Sequence, residues 1–272
     1  MKLLLTAFIS TFFICTSAQS FSGKIISKNN QTPVEYANIG ILNKNIGTTS
    51  DTSGNFSIYL PTEFNNDTLR ISCIGFETKN IIVKDFVNLN KKNIQLFEKT
   101  YNLAESVITP KRFKEKVLGN KAKSKSIQAG FDEHLLGKEM GVILAIRKSA
   151  KIKKINLNIA TCNFDTIFYR INVYEVKNLW KRDFENVLKS PLYISIPKDK
   201  VKSTITIDVE NKDIWVNGNC LVTIEYVKDL GKGQLHFCAG IGNNTYHRTT
   251  SQGKWTSTPI GIGINVLADV EY

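Results

Sequence analysis

Hydrophobic residues in this chain recur at every second position over short stretches. Phe56, Ile58 and Leu60 alternate with Ser57 and Tyr59, the period of a strand with one buried face. Upstream, Phe21–Ser27 and Ala37–Leu42 read as strands separated by the turn Lys28-Asn29-Asn30-Gln31-Thr32-Pro33. Asp51-Thr52-Ser53-Gly54-Asn55 is a cluster of turn formers, and with Gly47–Thr49 before it and Phe56–Leu60 after it the economical reading is a hairpin. Asp67–Ile74, Thr78–Val83 and Lys92–Phe97 complete a first group of short strands, a spacing that predicts an antiparallel sandwich.

The second half repeats the pattern. Glu139–Ile146 is apolar, and Ile155, Leu157 and Ile159 alternate with Asn156, Asn158 and Ala160. Phe168–Val176, a run with Ile205, Ile207 and Val209 inward, Asn219–Val227, Gln234–Ile241, Thr245–Thr250 and Pro259–Tyr272 make eight to nine strands. The fold class is all-β: a seven-strand sandwich, then a jelly-roll-like second sandwich over 127–272. Residues 99–126 read as a basic linker between them, with a short helix as one option near Phe113–Leu118.

The ends of the chain add two expectations. Lys2, the apolar run Leu3–Cys15 and the small residues Thr16-Ser17-Ala18 read as an export signal over 1–18. The run is short of the ~20 residues that span a bilayer, and bulky Ile14 argues against lipidation of Cys15. At the other end Ile262, Ile264, Val266, Ala268, Val270 and Tyr272 alternate up to a terminal aromatic. That leaves a small outer-membrane barrel as an alternative to the last strand of a sandwich.

The formal net charge is +12. Much of the excess lies in one connector, where Lys111, Arg112, Lys114, Lys116, Lys121, Lys123 and Lys125 face Glu115 alone. A nucleic-acid binder would spread such charge over a folded face with interleaved aromatics, so a solvated linker is the reading and no nucleic-acid partner is expected. Beyond the leader there are four cysteines, Cys73, Cys162, Cys220 and Cys238. That is too few for a disulfide framework in a chain of this length. A hairpin through Asp229–Gly233 would set Cys220 and Cys238 out of register, so buried free thiols are expected.

Particular residues then resemble a family. Gly23 on the first strand, Pro33-Val34 before Ala37-Asn38-Ile39, Gly47-Thr48-Thr49-x-Asp51-x-x-Gly54-x-Phe56, and Ile71-Ser72-Cys73-Ile74-Gly75-Phe76-Glu77 are similar to the carboxypeptidase-regulatory-like domain. The likeness spans 21–98, with Phe76 where the family carries tyrosine. It implies a transthyretin-like sandwich over 19–98, of a kind common in exported and outer-membrane proteins of Bacteroidetes-type bacteria. It implies an accessory or interaction module fused to peptidases or TonB-dependent receptors. Leu103–Thr109 is similar to the segment that joins this domain to the receptor plug, but the remaining chain is too short for a plug and a large barrel. Arg170-Ile171-Asn172-Val173-Tyr174 and Thr250-Ser251-Gln252-Gly253-Lys254-Trp255 resemble exported proteins of the same bacteria that pair such a domain with a second sandwich.

Catalytic patterns are missing. Of His134, His236 and His247, none has Glu three residues on, so the zinc carboxypeptidase ligand set is not present, and no metal or cofactor is expected. No Gly-x-Ser-x-Gly elbow or phosphate-binding glycine loop occurs. Asp132-Glu133 reads as a surface loop, and facing carboxylates of a hydrolase cannot be picked out from sequence. Trp180, Tyr246, His247, Arg248 and Trp255 could form an aromatic and polar platform for a sugar, or could cap the edges of the core. The expectation is a non-catalytic exported envelope protein with an interaction or scaffolding role toward envelope proteins or surface glycans, in the periplasm or at the outer-membrane surface. Glycan binding by the second sandwich is the alternative, with a small barrel or an unrecognised hydrolase beyond it.

Overall fold

The computed structural model describes residues 18–89, 92–100, 112–132 and 135–272. The export signal falls almost wholly outside them, as do Glu133, His134 and Leu103–Thr109. The first unit is a sandwich of β1 (Ala18–Ser27), β2 (Asn38–Ile41), β3 (Gly47–Thr49), β4 (Asn55–Pro61), β5 (Thr68–Ser72), β6 (Lys79–Ile82), the short helix α1 (Val83–Val87) and β7 (Asn93–Leu96). One sheet runs β4-β1-β7 and the other β3-β2-β5-β6. Ile25, Ile39, Ile41, Leu69, Ile71, Phe86 and their neighbours fill the space between.

Two local expectations change here. The turn chemistry is as read: Asp51 Oδ1 accepts from the Ser53 and Asn55 amides at 2.8 Å each, and Gly54 takes φ +75°. The flanking strands, however, do not form a hairpin. β3 pairs with β2 and β4 pairs with β1, so the turn carries the chain from one sheet to the other. A turn cluster specifies a reversal; it does not specify whether the flanks meet through backbone bonds or across a core. β7 lies parallel to β1, so the sandwich is not wholly antiparallel. Strand direction depends on the crossover and leaves no mark on alternation.

The second unit holds β8 (Phe113–Gly119), β9 (Gln128–Phe131), β10 (Glu139–Leu144), β11 (Ser149–Cys162), β12 (Thr166–Asn178), β13 (Asp183–Asn186), β14 (Leu192–Pro197), β15 (Thr204–Asp208), β16 (Ile214–Asn217), β17 (Cys220–Glu225), β18 (Leu235–Arg248), β19 (Thr256–Ile262) and β20 (Ile264–Glu271). Its strands link in the order β13-β12-β17-β10-β18-β11-β20-β8. β18 is one long strand where two were expected. Its start pairs with β9 and β11 and its end with β10 and β19, so it bends between the two layers. β17 pairs with β10 and β12 and makes no hairpin with β18. The four cysteines are nonetheless free thiols, but only Cys220 and Cys238 are buried; Cys73 and Cys162 are partly exposed.

The basic linker is corrected over much of its length. Phe113–Gly119 is neither connector nor helix: it is an edge strand on β20. Beyond it, the Ala122 carbonyl accepts from Asn158 Nδ2 at 2.8 Å and the Lys123 carbonyl from Cys238 Sγ. The lysines stay solvated because an edge strand exposes one face, and charge on an edge guards it against pairing with other chains. On β20, Ile264, Val266, Ala268 and Val270 are buried in the sandwich core. A membrane barrel would turn that face to lipid.

Candidate functional site

The two units meet across one face of the second sheet, and alternation makes that face. On β12, Ile167, Tyr169, Ile171 and Val173 enter the core, so Phe168, Arg170, Asn172 and Tyr174 point away from it. On β17, Val222 and Ile224 enter the core, leaving Leu221, Thr223 and Glu225 outward. The register sets Arg170 opposite Glu225, Glu225 opposite Glu139, and Glu139 opposite Arg248. Four adjacent strands thus carry a single row of charges, positive, negative, negative, positive.

This row is sealed from water. Glu139 and Glu225 are 0% exposed and Arg170 2%. Like charges directly opposite on a sheet repel, and a buried carboxylate without partners costs several kcal/mol. Each acid is therefore surrounded by donors. Glu225 Oε2 accepts from Arg170 Nε at 3.0 Å, Arg170 Nη2 at 2.7 Å and Asn172 Nδ2 at 2.7 Å, and its Oε1 accepts from Asn38 Nδ2 at 2.9 Å. Glu139 accepts from Asn172 Nδ2 at 2.8 Å, the Tyr174 hydroxyl at 2.9 Å, the Thr223 hydroxyl and Arg248 Nε at 2.8 Å. The two acids differ. Burial pushes Glu225 up, but Arg170 and Arg248 outweigh it and hold the carboxyl below its ordinary value. Burial dominates at Glu139 and, with Glu225 beside it, lifts that carboxyl above its ordinary value against the pull of Arg248.

The first unit completes the network. Arg170 Nη1 donates to the Tyr36 carbonyl at 2.7 Å and Nη2 to Asn38 Oδ1 at 2.5 Å. The Tyr36 ring packs on Phe168 and Tyr193, each 5.3 Å away between centroids. Thr49 Oγ1 donates to the Val227 carbonyl at 2.8 Å. From the other side the loop after β18 lies on the paired glycines Gly40 and Gly47 of β2 and β3. A Cβ at either glycine would overlap the Ser251 carbonyl oxygen. The Asn43 amide donates to the Gln252 carbonyl at 2.9 Å, and Gln252 Nε2 to Ser72 Oγ at 2.8 Å. Non-glycine residues with positive φ among the described residues are Gln31, Tyr36, Asn43, Arg182, Asp213 and Gln252. Tyr36, Asn43 and Gln252 are at this contact, where docking holds a backbone that side chains otherwise disfavour.

A cleft of about 630 Å³ opens along the contact, between Asn38, Arg70 and Ser72 on one side and Arg170, Phe184 and Trp255 on the other. A second groove of about 720 Å³ lies between Thr48, Phe56, Leu136 and Val227. The residues proposed from sequence as a platform divide around the first cleft. Trp255 lines it, packed on Phe184 at 5.4 Å and Tyr174 at 6.1 Å, with the Arg248 guanidinium 5.0 Å from its ring centre. Tyr246 meets Phe184 at 6.1 Å. Arg248 is committed to Glu139 in the charge row and reaches the cleft as part of its floor. His247 is half-buried beside Thr256, and burial, then Lys138 and Arg182, hold it below its ordinary pKa. Trp180 is 98% exposed at the turn between β12 and β13 and joins none of these rings. His236 pairs with Asp132. Among the described residues no group of three or more His, Cys, Asp or Glu is placed to hold a metal ion.

Sequence reasoning missed Arg170, Glu225, Glu139 and Asn38 as a set. The signal was present: an ionisable residue amid an apolar run on each of three strands is costly unless partnered. Their pairing depends on a sheet order the sequence does not display.

Residues 21–108 match the CarboxypepD_reg-like domain family, so the first sandwich is of that type, in agreement with the resemblance seen over 21–98. No curated protein matches the chain. Similar solved structures include BcpA, the major pilin subunit of Bacillus cereus, at 9% identity over 92% of this chain and 69% of that one, with a TM-score of 0.20. Infectious bursal disease virus Gx strain gives 9% identity, 92% and 65% coverage and a TM-score of 0.17. Scores this low do not define a common fold.

Proposed function

We propose that the chain is a non-catalytic interaction module of a bacterial envelope, in which a regulatory-like sandwich and a second sandwich act as one rigid body. The observation that carries this reading is the buried Arg170–Glu225–Glu139–Arg248 row, capped by Asn38 from the first sandwich. Both acids are consumed by donors, an arrangement that serves docking and leaves them no access to a substrate. A body fixed in this way presents loops and strand edges from two sandwiches in constant relation, which favours contact with envelope proteins or surface glycans over independent tethered modules. The leader-like residues at the start of the sequence support export. The test is fractionation of cells producing the tagged full chain, followed by cross-linking. An envelope-located chain whose cross-links disappear when Glu225→Gln loosens the contact supports the proposal. A chain retained in the cytosol, or cross-links indifferent to that loosening, refutes it.

A further inference from the structure

The cleft beside the charge row has an unusual balance of groups. Its floor cations, Arg170 and Arg248, are neutralised by Glu225 and Glu139. Four further cations line it, Arg70 and Lys99 from the first sandwich and Lys181 and Arg182 from the second. The acids there are Asp183 and Glu185, and Glu185 is engaged by Lys177 at 3.1 Å. Lys99 and Lys181 have no ion-pair partner among the described residues. Arg70 uses only Nε, on Asn80 at 3.0 Å, and Arg182 donates to the Trp255 carbonyl and Ser257 Oγ. Four of the five neutral amides lining the cleft are already committed: Asn38 and Asn172 to the charge row, Asn186 to Asn172 and Leu188, Gln252 to Ser72, which leaves Asn43.

What the cleft has left to offer a ligand is therefore net positive charge from two sides, set against the Asp183 carboxylate, the Asn43 amide and the rings of Trp255 and Phe184. Neutral sugars need free amides and carboxylates for their hydroxyls, which are scarce here. A bare anion needs no aromatic wall. The volume falls within the about 300–1,000 Å³ of small-ligand sites. We infer that this cleft binds a short acidic oligosaccharide, its carboxylates between the cations of the two sandwiches and a sugar ring against Trp255 and Phe184. The inference rests on the rigid-body reading, since the site is complete only when both sandwiches are docked.

Titration calorimetry of the full chain with a trimer of galacturonic acid tests it, alongside a galactose trimer and a glutamate tripeptide. The expected result is saturable, salt-weakened binding of the uronate, with the neutral trimer weaker by at least about tenfold. Lys99→Ala and Lys181→Ala, both at exposed positions, each weaken it by about three- to tenfold. Trp255→Leu removes the preference over the glutamate peptide, and Trp180→Ala changes nothing. Absence of uronate binding overturns the inference. So does equal binding of uronate and glutamate peptide, which would reduce the cleft to a patch of charge. Because the lysine variants leave the core untouched, loss of folding at Trp255 does not obscure the outcome. If scattering shows the two sandwiches still docked while the uronate fails to bind, the ligand is wrong and the rigid body stands.

Discussion

Removing the charge of Glu225 tests whether the row of ions holds the two sandwiches together. Glu225→Gln keeps the shape but replaces one acceptor oxygen with a donor, aimed at Asn38 or at Arg170 and Asn172, which are donors themselves. Arg170, 2% exposed, is left without its counter-ion. Breaking one side of a buried pair typically costs about 3–5 kcal/mol, mostly the penalty of the orphaned charge. With a urea slope of about 3 kcal/mol/M, the unfolding midpoint falls by about 1–1.7 M. Arg170→Met alone should cost a similar amount, since it strips Glu225 of its nearest cation, leaving Arg248 at 3.9 Å, and leaves the Tyr36 carbonyl without its donor. The double variant should lose less than the sum by at least about 2 kcal/mol, because no isolated charge then remains. Urea midpoints for the four proteins of this cycle supply the check. Costs that add to within about 0.5 kcal/mol, or single variants within about 0.5 kcal/mol of the parent, would refute the argument.

Three further outcomes follow from the same geometry. Gly47→Ala places a methyl on the Ser251 carbonyl, so it should cost about 1–3 kcal/mol and enlarge the radius of gyration by undocking the sandwiches, whereas an unchanged scattering profile would contradict the close approach. Glu225, held below its ordinary value, contributes stability that is fully present above the unfolded carboxylate pKa of about 4.3 and lost as pH falls through its native value. Glu139, held above its ordinary value, has the opposite sign, since its ionised form costs stability and acidification relieves that cost. The share of the stability gap between the parent and Glu225→Gln that comes from Glu225 should therefore be lost below about pH 4, so the gap should change with pH, as read from urea midpoints; a gap independent of pH would remove the ionic assignment. Burial pushes the Cys220 thiol up to about 12, so a thiol reagent at pH 8 should leave it unmodified until urea unfolds the chain, and rapid native labelling of Cys220 would show that β17 opens.

The class of the fold and the location of the first sandwich are legible in the chain of residues alone. Alternation at Phe56, Ile58 and Leu60 records which face of a strand is buried, and the Asp51–Asn55 turn follows from side chains bonding their own backbone, so both are local properties. The family motif is local in the same sense. It could not say that β3 and β4 belong to different sheets, that β7 runs parallel to β1, or that Phe113–Gly119 is a strand whose partner is the last one in the chain. Those facts depend on pairings between distant segments, which alternation leaves open because either edge of a strand can accept a neighbour. The candidate site shows the same division. Arg170, Glu225, Glu139 and Arg248 are individually conspicuous as charges within apolar strands, yet only the order β12-β17-β10-β18 brings them into one row. Only the docking of the first sandwich then completes that row, where low dielectric and full donor coordination turn four surface-type residues into the joint between the two units.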